Sequence, residues 1–153
     1  DLVIDLVCDM PVGAVMAPHH PLARLKRLQL ADCGGHLLCW PSRGLSLRPI
    51  LDSAARLADL RIAPALECNS LRLMASLAAS GKFISFQTRI GIERELAART
   101  LLFRPLADRH VSADRLLVIS RQAQPRRSAA DAFRECAARH LPKNTSVRKN
   151  RTD

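Results

Sequence analysis

Two thiols and an imidazole fall within seven residues at Cys33-Gly34-Gly35-His36-Leu37-Leu38-Cys39, and these are ligand types that a soft metal ion accepts. Their spacing argues against a site. His36 and Cys39 stand at the two ends of an apolar strand, where a separation of three sends their side chains to opposite faces, and no fourth ligand is evident. The thiols are expected as small buried hydrophobes, with no metal. Glu93 and Glu95 are neighbouring carboxylates, but two residues apart on a short helix they do not share a face for acid/base work and are expected to meet solvent. The chain has no Gly-x-Ser-x-Gly elbow, no phosphate-cradling Gly-rich loop and no His-Glu-x-x-His, so the expectation is a non-enzyme without a cofactor.

What remains is a pair of loop-to-helix transitions. Ser42-Arg43-Gly44 precedes one predicted helix and Asn69-Ser70 the next, each directly after a strand. In an open α/β sheet ligands bind at the carboxyl ends of strands, and helix N-termini present unpaired N–H groups and the positive end of a dipole to an anion. Ser42 and Asn69 are therefore expected to open onto one groove. Plain helix capping by the same residues is an equally good account at the level of sequence.

The elements that must position these loops follow from periodicity. Val/Leu/Ile-rich runs at 1–8 and Val12 to Ala17 are strands, the second broken by Pro18-His19-His20-Pro21. His36 to Trp40 is a third. Leu47, Ile50, Leu51, Ala54, Leu57 and Ala58 then recur at helical spacing, with Arg48, Asp52, Arg56 and Asp59 on the other side. Ala63 to Cys68 predicts a strand, and Leu71, Met74, Leu77 and Ala78 a helix stopped by Gly81. Phe83 to Phe86 is a strand, Thr88 caps a short helix through Glu93 to Ala98, and Leu101 to Phe103 and Arg115 to Ser120 are strands. Ser128-Ala129-Ala130-Asp131 has the form of a capping box for a last helix to about His140. Alternating strands and helices give an α/β class with a largely parallel sheet, followed by a basic flexible tail over 142–153.

Composition bounds the function. At 153 residues, 48% hydrophobic and 25% charged, the chain has enough apolar material for a core, which excludes wholesale disorder. No apolar run approaches the roughly 20 residues of a bilayer span and no signal peptide is visible, so a soluble, cytoplasmic protein with no membrane partner is expected. Five scattered cysteines, an odd number, fit reduced thiols. The abrupt apolar start without Met suggests a piece of a longer polypeptide. A net charge of +10 invites a nucleic-acid reading, but 20 of the 24 basic residues are Arg, no basic run exceeds two, and most lie on polar helix faces. Aromatics at 3% and no Tyr leave no base-stacking platform. A helix-turn-helix across Leu71 to Ala98 fails because Phe83 to Phe86 is a strand where the second helix should begin.

Five segments in register carry a family resemblance. His20-Pro21-Leu22-Ala23 after the strand Val12 to Ala17, Leu30-Ala31-Asp32, Glu67-Cys68-Asn69-Ser70 leading to Leu77-Ala78-Ala79-Ser80-Gly81, Leu101-Leu102-Phe103-Arg104-Pro105-Leu106, and Ala129-Ala130-Asp131-Ala132-Phe133 resemble the effector-binding domain of LysR-type transcriptional regulators in order and spacing. The resemblance runs from about Val12 to His140. It implies the type 2 periplasmic-binding-protein fold, two Rossmann-like subdomains joined by two crossing strands with a small-molecule effector in the cleft. Carried over, Val12 to Ala17 is the first crossing and Leu101 to Pro105 the second. Residues 1–17 and 101–141 form part of subdomain I and 18–100 form subdomain II, the chain being N-terminally truncated by this pattern.

Family pocket positions fall at Ala17, Ser42, Arg43, Glu67, Asn69 and Ser70. Two departures concern the effector: the family's Gly-x-Gly is Gly81-Lys82-Phe83, and Ala17 lacks the hydroxyl some members place there. The expected function is an effector-sensing and oligomerisation module without catalysis, binding an anionic small molecule and working as a homodimer or homotetramer. It would meet promoter DNA only through a helix-turn-helix outside this chain. A solute-binding protein of the same fold, an enzyme on that scaffold, and direct nucleic-acid binding are the alternatives.

Overall fold

The computed structural model describes residues 2–121, 128–141 and 146–147. Along the chain these form β1 (Leu2–Met10), β2 (Gly13–Met16), β3 (Leu37–Pro41), α1 (Leu47–Leu57), β4 (Leu66–Cys68), α2 (Leu71–Ala79), β5 (Phe83–Gln87), α3 (Glu93–Ala97), β6 (Leu102–Pro105), β7 (Asp114–Arg121), α4 (Ser128–His140) and β8 (Ser146–Val147). They gather into two compact units, one of residues 11–114 and one of residues 1–10 and 115–153.

The 11–114 unit is built on a five-stranded sheet in the order β4-β3-β5-β2-β6. Strand alternation divides its side chains between two faces. Ala14, Met16, Leu38, Trp40, Ile84 and Phe86 point to one face and meet Leu47, Leu51 and Ala54 of α1, the helical spacing i, i+4, i+7 that the sequence displays. Trp40 anchors that layer, 2% exposed and edge-on to Phe86 at 5.0 Å. On the other face lie Val15, Cys39, Cys68 and Phe103, with Met74, Ala75 and Ala78 from α2. Cys33 belongs to the first layer and Cys39 to the second. Burial pushes their thiols up to about 12 and about 11 respectively, with Asp32 and Asp108 adding to the first and Cys68 to the second. Among the described residues no group of three or more His, Cys, Asp or Glu is placed to hold a metal ion.

Three local expectations are corrected. The sheet is not largely parallel: β3 pairs parallel with β4 and β5, but β2 runs antiparallel to both β5 and β6. Periodicity identifies a strand and carries no information on its direction. The short helix does not start from Thr88; it starts after Ile92, which is wholly buried, and Glu93 folds back to accept from the Gly91 N–H at 2.8 Å. Glu95 is not simply solvated, since it pairs with Arg72 of α2 at 2.7 Å.

In the other unit the sheet order is β7-β1-β8. Asp5 of β1, 8% exposed, lies 3.8 Å from Arg134 of α4, and Arg134 also holds Asp131 one turn back on its own helix at 3.2 Å. Within the tail expected to be flexible, Ser146 and Val147 pair antiparallel with Val7 and Leu6 of β1. The rest of the tail and the side chain of Ser128, on which the capping box depends, lie outside the described residues.

Candidate functional site

Parallel pairing of β3 with β4 and β5 brings three strand ends to one edge of the sheet. The register sets Pro41 beside Cys68, and Leu37, Leu38 and Cys39 beside Phe83, Ile84 and Ser85, so Pro41, Cys68 and Gln87 finish at that edge. The loops that follow are joined directly: the Ser42 N–H donates to the Cys68 carbonyl at 2.9 Å. Ser42, Arg43, Glu67, Asn69 and Ser70 are thereby brought together.

Ala17 is not among them. Because β2 is antiparallel to β5, with Gly13 opposite Gln87, the chain leaves β2 at the other edge of the sheet. Ala17 lies four residues beyond Gly13, roughly 13 Å along the strand direction at about 3.3 Å per residue. Its neighbours are the His19-His20 turn, where His20 N–H donates to the Ala17 carbonyl and the His20 ring meets that of His36 at 4.9 Å. The side chain is 1% exposed.

The two loops differ in what they offer an anion. Ser70 caps α2, its hydroxyl accepting from the Leu73 N–H at 3.3 Å, while its own N–H points at the Cys68 sulfur at 3.3 Å. That leaves the Leu71 and Arg72 N–H groups at a helix end with no acidic residue in its first turn. Asn69 is exposed one residue earlier. Ser42 does not cap α1, which begins five residues later at Leu47. Its carbonyl takes the Leu45 N–H, and the Leu45 carbonyl takes the Arg48 N–H, so these donors are consumed inside the loop. The Arg43, Gly44 and Ser46 N–H groups donate to nothing among the described residues, and the first two lie beside an exposed Arg43 side chain. Gly44 has φ +100°, the left-handed region that a side chain disfavours, which suits a tight anion-facing turn.

Glu67 is committed elsewhere. Its carboxylate accepts from the Arg48 guanidinium at 2.8 Å, and Arg48 also binds Asp52 at 2.6 Å and the Pro41 carbonyl at 3.1 Å. The Asp52 bond raises the Arg48 pKa above its usual value against some loss from burial, with Glu67 reinforcing it. Asp52 in turn accepts from the Trp40 indole N–H at 3.0 Å. One guanidinium thus ties the end of β3, the start of α1 and β4 together, and through them sets the Ser42 to Gly44 loop. From the sequence Arg48 was simply a residue on the polar face of a helix.

Gln87 was also missed. It ends β5 at this edge and is 1% exposed. Its Nε2 donates to the Leu71 carbonyl at 3.3 Å and approaches the Ser85 hydroxyl at 3.5 Å, while Oε1 has no partner. The alternation Phe83, Ser85, Gln87 was the available signal, since it puts polar groups on the face that α2 covers.

The profile of the LysR substrate binding domain matches residues 1–142, nearly the whole chain. The chain belongs to this family. It is an effector-sensing domain of the LysR type, with the periplasmic-binding-protein-like fold. Solved structures agree on the fold. The effector-binding domain of QuiR in complex with shikimate is 19% identical with a TM-score of 0.68, over 93% of this chain and 68% of that one. The regulatory domain of CcmR from Synechocystis PCC6803 in complex with 2-PG is 15% identical with a TM-score of 0.71, over 94% and 68%. Full-length OxyR C199D from Pseudomonas aeruginosa is 17% identical with a TM-score of 0.68, over 97% of this chain but 48% of that one. No curated protein matches the sequence. Among the described residues no helix is long and apolar enough to cross a membrane.

Proposed function

We propose that this domain senses an anionic small molecule at the edge formed by the ends of β3, β4 and β5, and does no catalysis. The observation that carries the reading is the Ser42 to Cys68 backbone bond, which sets the Arg43-Gly44 turn beside the α2 N-terminus. Arg43 supplies the charge, free to form a forked pair with a carboxylate or phosphate. The N–H groups of Arg43, Gly44, Leu71 and Arg72 supply directional donors. Asn69 and Ser70 line the rim and Glu67 fixes it through Arg48. Ala17, at the opposite edge, has no part in this version of the site.

The whole regulator is a cytoplasmic homodimer or homotetramer that meets promoter DNA through a helix-turn-helix outside this chain. In this proposal the 11–114 unit serves as subdomain II and residues 1–10 with the chain beyond 114 as part of subdomain I; the boundaries lie outside 18–100 because β2 pairs with both β5 and β6 in the sheet of that unit. Effector binding shifts the balance between two arrangements of the subdomains and so the spacing of the DNA-binding heads.

The test is Arg43→Ala in the full-length regulator. The expected result is a loss of effector-dependent transcription, about tenfold or more in the effector concentration for half response, with promoter affinity unchanged within about twofold; tenfold corresponds to one lost charge-assisted bond. Weakened promoter binding with a normal effector response would overturn the assignment.

A further inference from the structure

The segment Cys33 to Cys39 makes no metal site of its own, because its two thiols enter opposite layers of the 11–114 unit, but the fold gives Cys39 another partner. In the parallel pairing of β3 with β4, Cys39 stands opposite Leu66 and Pro41 opposite Cys68, so Cys39 and Cys68 are offset by two residues on neighbouring strands. Alternation puts both side chains on the face that α2 covers. Their thiols hydrogen-bond to each other there, and Met74, one turn into α2, is the third member of the same buried cluster. Three sulfur-bearing side chains thus share one apolar compartment, walled by Leu45, Leu66, Leu77 and Phe83. Cys68 is the member that reaches the surface, 6% exposed at the strand end. Its sulfur also accepts from the Ser70 N–H at 3.3 Å, a donor that a negatively charged sulfur holds more strongly than a neutral one.

The spacing separates the chemistries open to such a pair. With about 4.8 Å between strands and about 3.3 Å per residue, Cα atoms offset by two residues stand about 8 Å apart, beyond the roughly 4.4–6.8 Å of a disulfide. A bridging ion reaches further. Two metal–thiolate bonds of about 2.3 Å at a trigonal angle hold their sulfurs about 4 Å apart, a spacing that thiols in hydrogen-bond contact already approach. Structural zinc takes four ligands, and among the described residues no group of three or more His, Cys, Asp or Glu is placed to supply them. Thiolate and thioether ligands select the softer Cu(I).

We propose that Cys39 and Cys68, with the Met74 thioether, form a binding site for one Cu(I) ion. Each thiol releases its proton to solvent as its sulfur bonds the ion, so two protons leave and no electron is transferred. The complex carries one net negative charge, which the Ser70 N–H faces at the Cys68 sulfur. The proposal uses none of the N–H groups assigned to the anion and stands or falls independently of the effector-binding edge.

In the experiment Cu(I) is titrated anaerobically into the reduced full-length regulator in competition with bicinchoninate, whose Cu(I) complex is coloured. The wild type is expected to withdraw one Cu(I) per chain more than the double variant Cys39→Ala, Cys68→Ala. Cys33→Ala, altered in the other layer, should match the wild type. Met74→Leu, which nearly conserves volume, should weaken uptake by about tenfold, the low end of the effect of altering a metal's surroundings. Circular dichroism checks the fold of each variant. If the double variant does not fold, Cys39→Ser replaces it, and X-ray absorption of the Cu(I)-loaded wild type reads the ligands directly, with an all-sulfur shell expected. Nitrogen or oxygen neighbours, a wild type that leaves all Cu(I) with bicinchoninate, or equal uptake by the cysteine variant overturns the proposal. Unchanged affinity in Met74→Leu overturns the three-sulfur site.

Discussion

Arg48 is the side chain whose removal should loosen the effector edge most, and the size of the effect follows from its partners. Arg48→Ala deletes bonds to Asp52, Glu67 and the Pro41 carbonyl. The Asp52 and Glu67 side chains are 47% and 44% exposed, so water replaces most of what each loses, and each contact stabilises by about 0.2–1 kcal/mol. Arg48 itself is 16% exposed at its side chain, and its bond to the Pro41 carbonyl is charge-assisted, contributing about 1 kcal/mol after the hydration of both groups is set against it. The sum is about 2 kcal/mol, or roughly 4–8 °C in Tm for a chain of this size. Relief of charge repulsion works the other way, since the substitution lowers a net charge of +10. Arg72→Ala is the control: it changes the net charge equally and breaks the pair with Glu95, but its side chain is 76% exposed and the loss should stay below about 0.5 kcal/mol. Arg48→Lys should recover only part of the difference, because an ammonium does not span three acceptors as a planar fork does. Urea unfolding of all three variants gives the comparison. Equal losses from Arg48→Ala and Arg72→Ala would refute the reasoning.

Two other substitutions probe the scaffold. The His20 pKa is lowered by burial, with His36 and His19 adding to it, and its Nδ1 accepts from the Leu22 N–H, a bond that requires the unprotonated nitrogen. Above the unfolded value of 6.5 both states are neutral and the contribution of His20 is complete. As pH falls through 6.5 the unfolded chain takes up the proton first, so stability drops until the folded imidazole is protonated as well. The urea midpoint should therefore fall between pH 8 and pH 5, and His20→Gln should flatten part of that slope; an unchanged slope would refute the role. Gly13→Ala puts a Cβ 2.6 Å from the Arg104 carbonyl oxygen and 2.5 Å from the Phe103 ring, inside a strand paired on both sides. A loss of about 1–3 kcal/mol is expected in denaturant unfolding, the usual cost of overpacking; no loss would show that β2 and β6 pack less closely than described.

Much of the fold was legible because its signals are local. The period of α1 is written in Leu47, Leu51 and Ala54, the cap of α2 in Ser70, and its stop in Gly81, which takes φ +80° where a side chain is disfavoured. The candidate site was legible in part. Ser42 and Asn69 follow strands, and two parallel strands that each run into a helix deliver their loops to the same edge. Ala17 was placed with them by the family resemblance alone, although it too follows a strand. The rule fails where a strand is reversed, and reversal of β2 depends on its pairing with β5 and β6, 70 or more residues away in the chain.

The sequence by itself determined the class of the protein: alternating strand and helix periods and five spaced segments of a LysR-type effector domain. Each depends on residues close in the chain, whose preferences act before any long-range contact forms. Tertiary structure alone decided which polar residues matter at the edge. Arg48 looked like solvated charge until β3 and β4 came within its reach, and Gln87 like the end of a strand until α2 covered it. The worth of a polar group is set by the water it loses and the partners it gains, and both are fixed only when distant segments pack.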